Sequence, residues 1–303
     1  MIKAIVLYLL GFFLVSTQLS LAKDPMRLVI LGTGTPVADP ARSGPALAII
    51  KNGKSYLVDA GAGIVRRASA AAKKHNISAL SPDKLETAFL THLHADHTVG
   101  LPDLIFSPWI LERRQPLKLY GPLGTINMAD HLLLAYGEDI QLRTDGLEPA
   151  NPDGYKVDTS EIVKGGTILT TEDLTVEAFP VLHGSWKQAY GYIFSDDNLK
   201  IVISGDARPS PLLIAAAKDA DILVHEVYSL EGYKTLPKVW QTYHASFHTS
   251  THELAEIAKQ AKPKLLVLYH QLYWGFSDAD IIKEIRDAGY EGKIVSARDL
   301  DLF

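Results

Sequence analysis

The chain has 303 residues, 47% of them hydrophobic, with a formal net charge of −5 and no cysteine. That length and apolar content fit a globular protein with a sizeable core. The missing cysteines exclude disulfides, thiolate nucleophiles and thiolate ligands, and the acidity weighs against a broad nucleic-acid-binding face.

The N-terminus reads as an export signal rather than as part of the fold. Lys3 supplies positive charge, Ala4 to Val15 is almost wholly apolar, and Ser20-Leu21-Ala22 offers small residues before a cut. Cleavage after Ala22 is expected, leaving one domain over residues 23–303 in the periplasm or outside the cell. The rival reading, a retained anchor, has a rather short span.

Arg27 to Gly32 reads as a strand entering the turn Gly32-Thr-Gly-Thr-Pro36, which lacks the spacing and lysine of a phosphate-binding loop. Ala46 to Ile50 and Ser55 to Val58 flank Asn52-Gly53, a hairpin signal. An alanine-rich helix follows over Ile64 to His75, then a strand over Leu85 to Thr91. Leu101 to Leu111 and Met128 to Tyr136 read as helices around a short strand, Leu117 to Tyr120. Gln141 to Gly166 is polar and poorly periodic, fitting a loop or a pair of edge strands. Strands are expected over Thr175 to Pro180, Gly191 to Phe194, Lys200 to Ser204, Ile222 to Val224 and Leu265 to Leu268, with a last one through Ile294. Between them, Pro211 to Lys218 reads as a helix, and Ser250 and Ser277 open two more. Strands followed by helices in both halves predict an α/β chain whose two mixed sheets pack face to face, with helices outside.

The densest chemistry lies in Thr91-His92-Leu93-His94-Ala95-Asp96-His97, which leaves the strand ending at Leu90. Three imidazoles and a carboxylate in six positions suit a zinc-like cation. They are too crowded to close one tetrahedron, so His92 and His94 are expected to serve one metal and Asp96 and His97 another. Further candidates follow later strands: His183, Asp206 and His270. Taken singly, each could equally be a structural histidine or a turn-forming aspartate.

The order H-x-H-x-D-H, His183, Ser-Gly-Asp206, His270, with Leu57-Val58-Asp59-Ala60-Gly61 upstream, resembles the metallo-β-lactamase superfamily over most of the chain. The resemblance implies a four-layer αββα sandwich. It also implies two zinc ions, one held by His92, His94 and His183, the other by Asp96, His97 and His270, with Asp206 bridging and Asp59 supporting the ligand loop. Manganese or iron could occupy the same cage. Ser204-Gly-Asp206-Ala-Arg-Pro209, His225-Glu226 and His248-Thr-Ser-Thr251 resemble the group that contains the tRNA 3′-end endonuclease ribonuclease Z and secreted zinc arylsulfatases. True β-lactamases and lactonases fit less well; in the former a cysteine commonly stands where Asp206 does.

Only 23 positions separate His183 from Asp206, room for two strands and not for the long arm of short-type ribonuclease Z. The segments Thr91 to Trp109 and Leu268 to Gly275 resemble the arylsulfatase branch. The expectation is therefore an exported dinuclear zinc hydrolase of small sulfate or phosphate esters. A metal-bridging hydroxide is its nucleophile, no nucleic acid or membrane is its partner, and exposed sheet edges could pair into a homodimer. The alternative is a ribonuclease Z-like nuclease or cyclic-nucleotide phosphodiesterase.

By the same resemblance His248 is the general acid and Glu226 orients it, with Asp96 counted among the catalytic residues as well as the ligands. A structural role for His248 remains the competing reading. His225 is placed behind the ligands. Trp186 and Trp274 read either as aromatic walls for a substrate or as core, and Arg208 either as an anion clamp or as a loop ion pair.

Overall fold

Arg27–Gly32 (β1) is apolar on both faces because each face meets a different core. Leu28 and Ile30 face one cluster, Val29 and Leu31 another. It pairs antiparallel with Ala46–Lys51 (β2), which turns through Asn52 and Gly53, both at positive φ, into Lys54–Val58 (β3). In the computed structural model, which describes residues 24–303, the expected export signal and its cleavage point lie outside the described residues.

Ile64–His75 (α1) leads to Thr87–Phe89 (β4), Ala95–Thr98 (α2) and Leu101–Ile110 (α3). Leu117–Gly121 (β5), Thr125–Ala135 (α4), Gly137–Asp145 (α5) and Val157–Glu161 (β6) complete the first half. The first sheet runs β1-β2-β3-β4-β5-β6, antiparallel at its start and parallel from β3 onward.

The second half opens with Gly166–Thr170 (β7), Thr175–Pro180 (β8), Tyr190–Ser195 (β9) and Lys200–Ile203 (β10). Then come Pro211–Ala217 (α6), Ile222–Tyr228 (β11), Leu230–Lys234 (α7), Lys238–Phe247 (α8) and Thr251–Ala261 (α9). Leu265–Leu272 (β12), Asp278–Asp287 (α10) and Ile294–Ser296 (β13) end the chain. This sheet runs β13-β12-β11-β10-β9-β8-β7.

The expected four layers are present. Leu28, Ile49, Phe89, Tyr192, Val224 and Val267 fill the space between the sheets. Val29, Ala68, Leu104 and Leu119 join the first sheet to α1 and α3, and Leu223, Leu254, Leu266 and Ile281 join the second to α9 and α10.

Two regions differ from the sequence reading. Gln141 to Gly166 contains the end of α5 as well as the edge strands β6 and the start of β7. α5 buries no side chain and is held by Arg143, paired with Asp139 and Glu148, so it lacks the apolar stripe that reveals a helix. The second is α8, which likewise buries no residue yet leads directly into His248.

Candidate metal centre

The expected ligands gather along one edge of the two sheets: His92 and His94 from the loop after β4, Asp96 and His97 from α2, His183 and Asp206 from the loops after β8 and β10, and His270 from within β12. β4 ends at Phe89, and Tyr192 Oη donates to the Leu90 carbonyl at 2.6 Å, pinning the exit of the chain. Thr91 N and Oγ1 both donate to Asp59, whose own backbone sits at φ 61. Asp59 Oδ2 also lies 2.7 Å from His97 Nδ1. A carboxylate can only accept there, so His97 carries a proton on Nδ1, and its Nε2 is turned inward towards Asp206.

The same logic fixes His183. Its Nδ1 donates to the Phe247 carbonyl at 2.8 Å, leaving Nε2 3.0 Å from His94 Nδ1. His92 Nε2 is 2.9 Å from the same His94 atom, and the Trp186 indole N–H donates to His94 Nε2 at 2.8 Å. Asp206 follows β10 through Gly205, whose φ of 62 favours glycine and whose added Cβ would lie 2.9 Å from Thr91 Cβ.

His270 is presented by a bulge. β11 and β12 pair Glu226 with Tyr269 and then Val227 with Gln271, so His270 is the extra residue, at φ 48. Its Nε2 lies 3.2 Å from Asp96 Oδ2 and its Nδ1 3.7 Å from Asp206 Oδ1.

Two donor groups of expected ligands result, and a third overlaps them. His92, His94, His183 and Asp206 form one, Asp96, His97 and His270 another, and Asp206, His248 and His270 the third, each with its donor atoms within 4.8 Å of one another. Asp206 Oδ2 lies 3.4 Å from His97 Nε2 and 4.0 Å from His92 Nε2, between the groups. His97 Nε2, Asp206 Oδ1 and His270 Nδ1 are buried with no hydrogen-bond partner. Buried orphans at this density fit cations, and an all-imidazole and carboxylate set fits zinc and its neighbours.

The donor imidazoles shift in both directions. Burial opposes it, but Asp206 and Asp59 raise His97 well above its ordinary range, and Asp206 with Asp96 raises His270. Burial, reinforced by His97, holds the His92 imidazole well below its ordinary range, and burial brings His183 down to about 4. Both rings therefore keep the neutral form that binds metal. Burial would push Asp206 up, but His270 and His97 outweigh it and hold the carboxyl well below the usual range.

His248 is beside this cage. Its Nδ1 is 3.8 Å from Asp206 Oδ2 and 3.4 Å from Glu226 Oε2. Glu226 is itself oriented by Thr249 N, which donates to Oε1 at 2.8 Å. Burial pushes the Glu226 carboxyl well up and brings His248 down to about 4.

The remaining candidates scatter. His225 is buried and donates from Nδ1 to the Glu226 carbonyl. Trp274 meets His244 edge-on, 4.5 Å between ring centroids, and lines a separate hollow with Thr33 and Arg42. Arg208 is exposed and makes no ion pair among the described residues. Trp186 lines a cleft of about 750 Å³ beside His94, together with Tyr243 and Phe247 of α8. Tyr243 and Phe247 were missed in the sequence; their aromatic i, i+4 spacing just before His248 was the available signal.

A sandwich of two sheets with this donor set at its edge is the architecture of one superfamily. Residues 54–271 match the β-lactamase superfamily domain model, and the chain belongs to that superfamily, as a metal-dependent hydrolase. Within it the chain falls in the ribonuclease Z group. It is 31% identical over 249 residues to ribonuclease Z of Mycobacterium sp. strain KMS, covering 82% of this chain and 84% of that one. Ribonuclease Z of Mycobacterium marinum is 29% identical, covering 81% and 86%. Among solved structures, the fold is shared with a Bacillus subtilis metallo-β-lactamase fold protein, YhfI, at TM-score 0.70 and 18% identity, covering 92% and 99%. It is shared too with the short form of human tRNase Z, at TM-score 0.66 and 21% identity, covering 91% and 98%.

This kinship corrects one expectation. A small-molecule ester substrate with no nucleic-acid partner does not accord with relatives that are ribonucleases. The inference had rested on the short interval from His183 to Asp206, the export signal, the arylsulfatase-like segments and the net charge of −5, which averages the whole surface. Cutting one phosphodiester requires positive charge only where the phosphate sits, and bound cations can supply it.

Proposed function

We propose that this chain hydrolyses RNA phosphodiesters in the manner of ribonuclease Z. The observation that carries the proposal is the buried His248–Glu226 pair, 3.4 Å apart, against the same Asp206 that joins the two donor groups. Such a pair provides a proton carrier within reach of the reacting phosphate.

His92, His94, His183 and Asp206 would hold one cation, and Asp96, His97, His270 and Asp206 a second. Bound there, such ions acidify water and neutralise charge on phosphate oxygens. The chain's own residues do the rest. Asp59 fixes His97, and Phe247 fixes His183, so the donors are set before substrate arrives. A water attacks phosphorus in line with the leaving oxygen and sheds a proton to solvent, and the bond from phosphorus to that oxygen breaks. The oxygen takes up a proton through His248, which is replaced on His248 from the Glu226 carboxyl 3.4 Å away. Glu226, held by Thr249 N, keeps the His248 ring in register.

The test is a side-by-side turnover of a 3′-extended tRNA precursor, an aryl phosphodiester and an aryl sulfate by zinc-loaded protein. RNA cleavage is expected, and His248→Ala should lower it by roughly 10²–10⁴-fold with metal content unchanged. Turnover of the sulfate ester with intact RNA would instead favour arylsulfatase activity and overturn the proposal. Loss of metal in His248→Ala would make that residue a ligand.

A further inference from the structure

The cleft beside His94 has a composition that phosphate chemistry alone does not require. Pro122 and Leu123 form one side, Trp186 a second, and Tyr243 and Phe247 of α8 a third, with Lys187 and Gln188 at the rim. Tyr243 and Phe247 lie 4.4 Å apart between centroids with their planes 25° from parallel, and Phe247 lies 28° from the plane of His94. Trp186 stands at 88° to His94. The result is a near-parallel series of rings leading away from the donor cluster, with an upright indole along one side.

The series is built rather than incidental. The Phe247 ring rests directly on Gly184, where an added Cβ would meet the ring at 2.1 Å, and Gly184 has φ 53, so glycine is required twice over. The Phe247 carbonyl simultaneously fixes His183. Tyr243 is half-buried, with Phe247 stacked on one face and Trp240 and His244 edge-on to it, and it lines the cleft. A half-buried aromatic on a helix that buries nothing else contributes little to the core; its position suits a flat partner.

We infer that this cleft is a nucleobase subsite. On the reading that the substrate is RNA, the base of the nucleotide next to the scissile phosphate stacks on Tyr243 between Pro122-Leu123 and Trp186. The occupant is argued from three features: planar walls at stacking angles, a volume of about 750 Å³ within the usual range for small-ligand sites, and direct continuity with His94 of the donor cluster. Exposed Lys187 at the rim complements the next phosphate of the strand. Stacking tolerates any base, so little discrimination among the four is expected.

Calorimetric titration of the zinc-loaded protein with adenosine and uridine monophosphates, ribose 5-phosphate and inorganic phosphate tests this. Both nucleotides should bind roughly 5- to 150-fold more tightly than ribose 5-phosphate, the range that one stacked base supplies. Tyr243→Leu should remove most of that margin while leaving inorganic phosphate affinity and metal content unchanged, and Tyr243→Phe should keep it. Equal affinity for nucleotide and ribose phosphate overturns the inference, as does a margin that survives Tyr243→Leu. The titration needs no turnover, so it separates failure of the subsite from failure of the RNA reading, which the cleavage assay decides.

Discussion

Asp59 shows how much of the centre depends on a residue that is not one of the expected ligands. It accepts from Thr91 N, Thr91 Oγ1 and His97 Nδ1, joining the start of the ligand loop to its last histidine. Asp59→Ala would free the His97 ring and leave the Thr91 amide unpaired. Metal affinity should fall by roughly 10–100-fold, read by competition with a chromogenic chelator, while the fold persists. Unchanged affinity would assign Asp59 a purely structural role. At this scale the sequence was informative wherever chemistry is dense. Four polar groups in Thr91 to His97 cannot be mistaken for core, and Asp59 stands in a recognisable segment. Tyr243 and Phe247 were not legible, because an aromatic pair at helical spacing reads equally well as a core stripe. The bulge at His270 was hidden too, since only the pairing register reveals an extra residue.

Among elements, the inner strands β1, β2, β11 and β12 were readable because each is a largely apolar run buried on two faces, whereas the polar edge strands β6 and β7 were not. Helices α1, α9 and α10 were readable from their apolar stripes, and α9 and α10 also from their serine caps. α5 and α8 bury nothing and so carry no periodic signal. A different tie joins the ends of the two sheets: Lys51 at the end of β2 bonds Asp196 beyond β9 at 2.6 Å, with both side chains nearly inaccessible. Burial would raise the Asp196 carboxyl, but its bond from Lys51 and those from Asn198 N and Leu199 N hold it below the usual range. Its stabilising contribution is therefore complete above the unfolded carboxyl value near pH 4 and fades as pH falls through the lower folded value. Asp196→Asn leaves the buried Lys51 ammonium without its counter-charge, bonded to the Asp24 carbonyl, and should cost about 3 kcal/mol in urea unfolding at pH 7, with the difference from the parent shrinking towards pH 3. A difference independent of pH would show that the pair contributes only packing.

For the whole molecule, the sandwich brings residues 59, 92–97, 183, 206, 226, 248 and 270, scattered over more than two hundred positions, to one edge. Strand ends on the same side of both sheets make that convergence a property of topology rather than of any single loop. Composition could not reveal it, and net charge pointed away from the polymer that the ribonuclease kinship brings forward. The most direct measurement is metal stoichiometry by elemental analysis after zinc reconstitution and exhaustive dialysis, on the parent and on Asp206→Ala. A pair of sites joined through Asp206 should retain two ions per chain in the parent and fewer than one in the variant. One ion in the parent, or two kept without Asp206, would contradict a shared dinuclear centre.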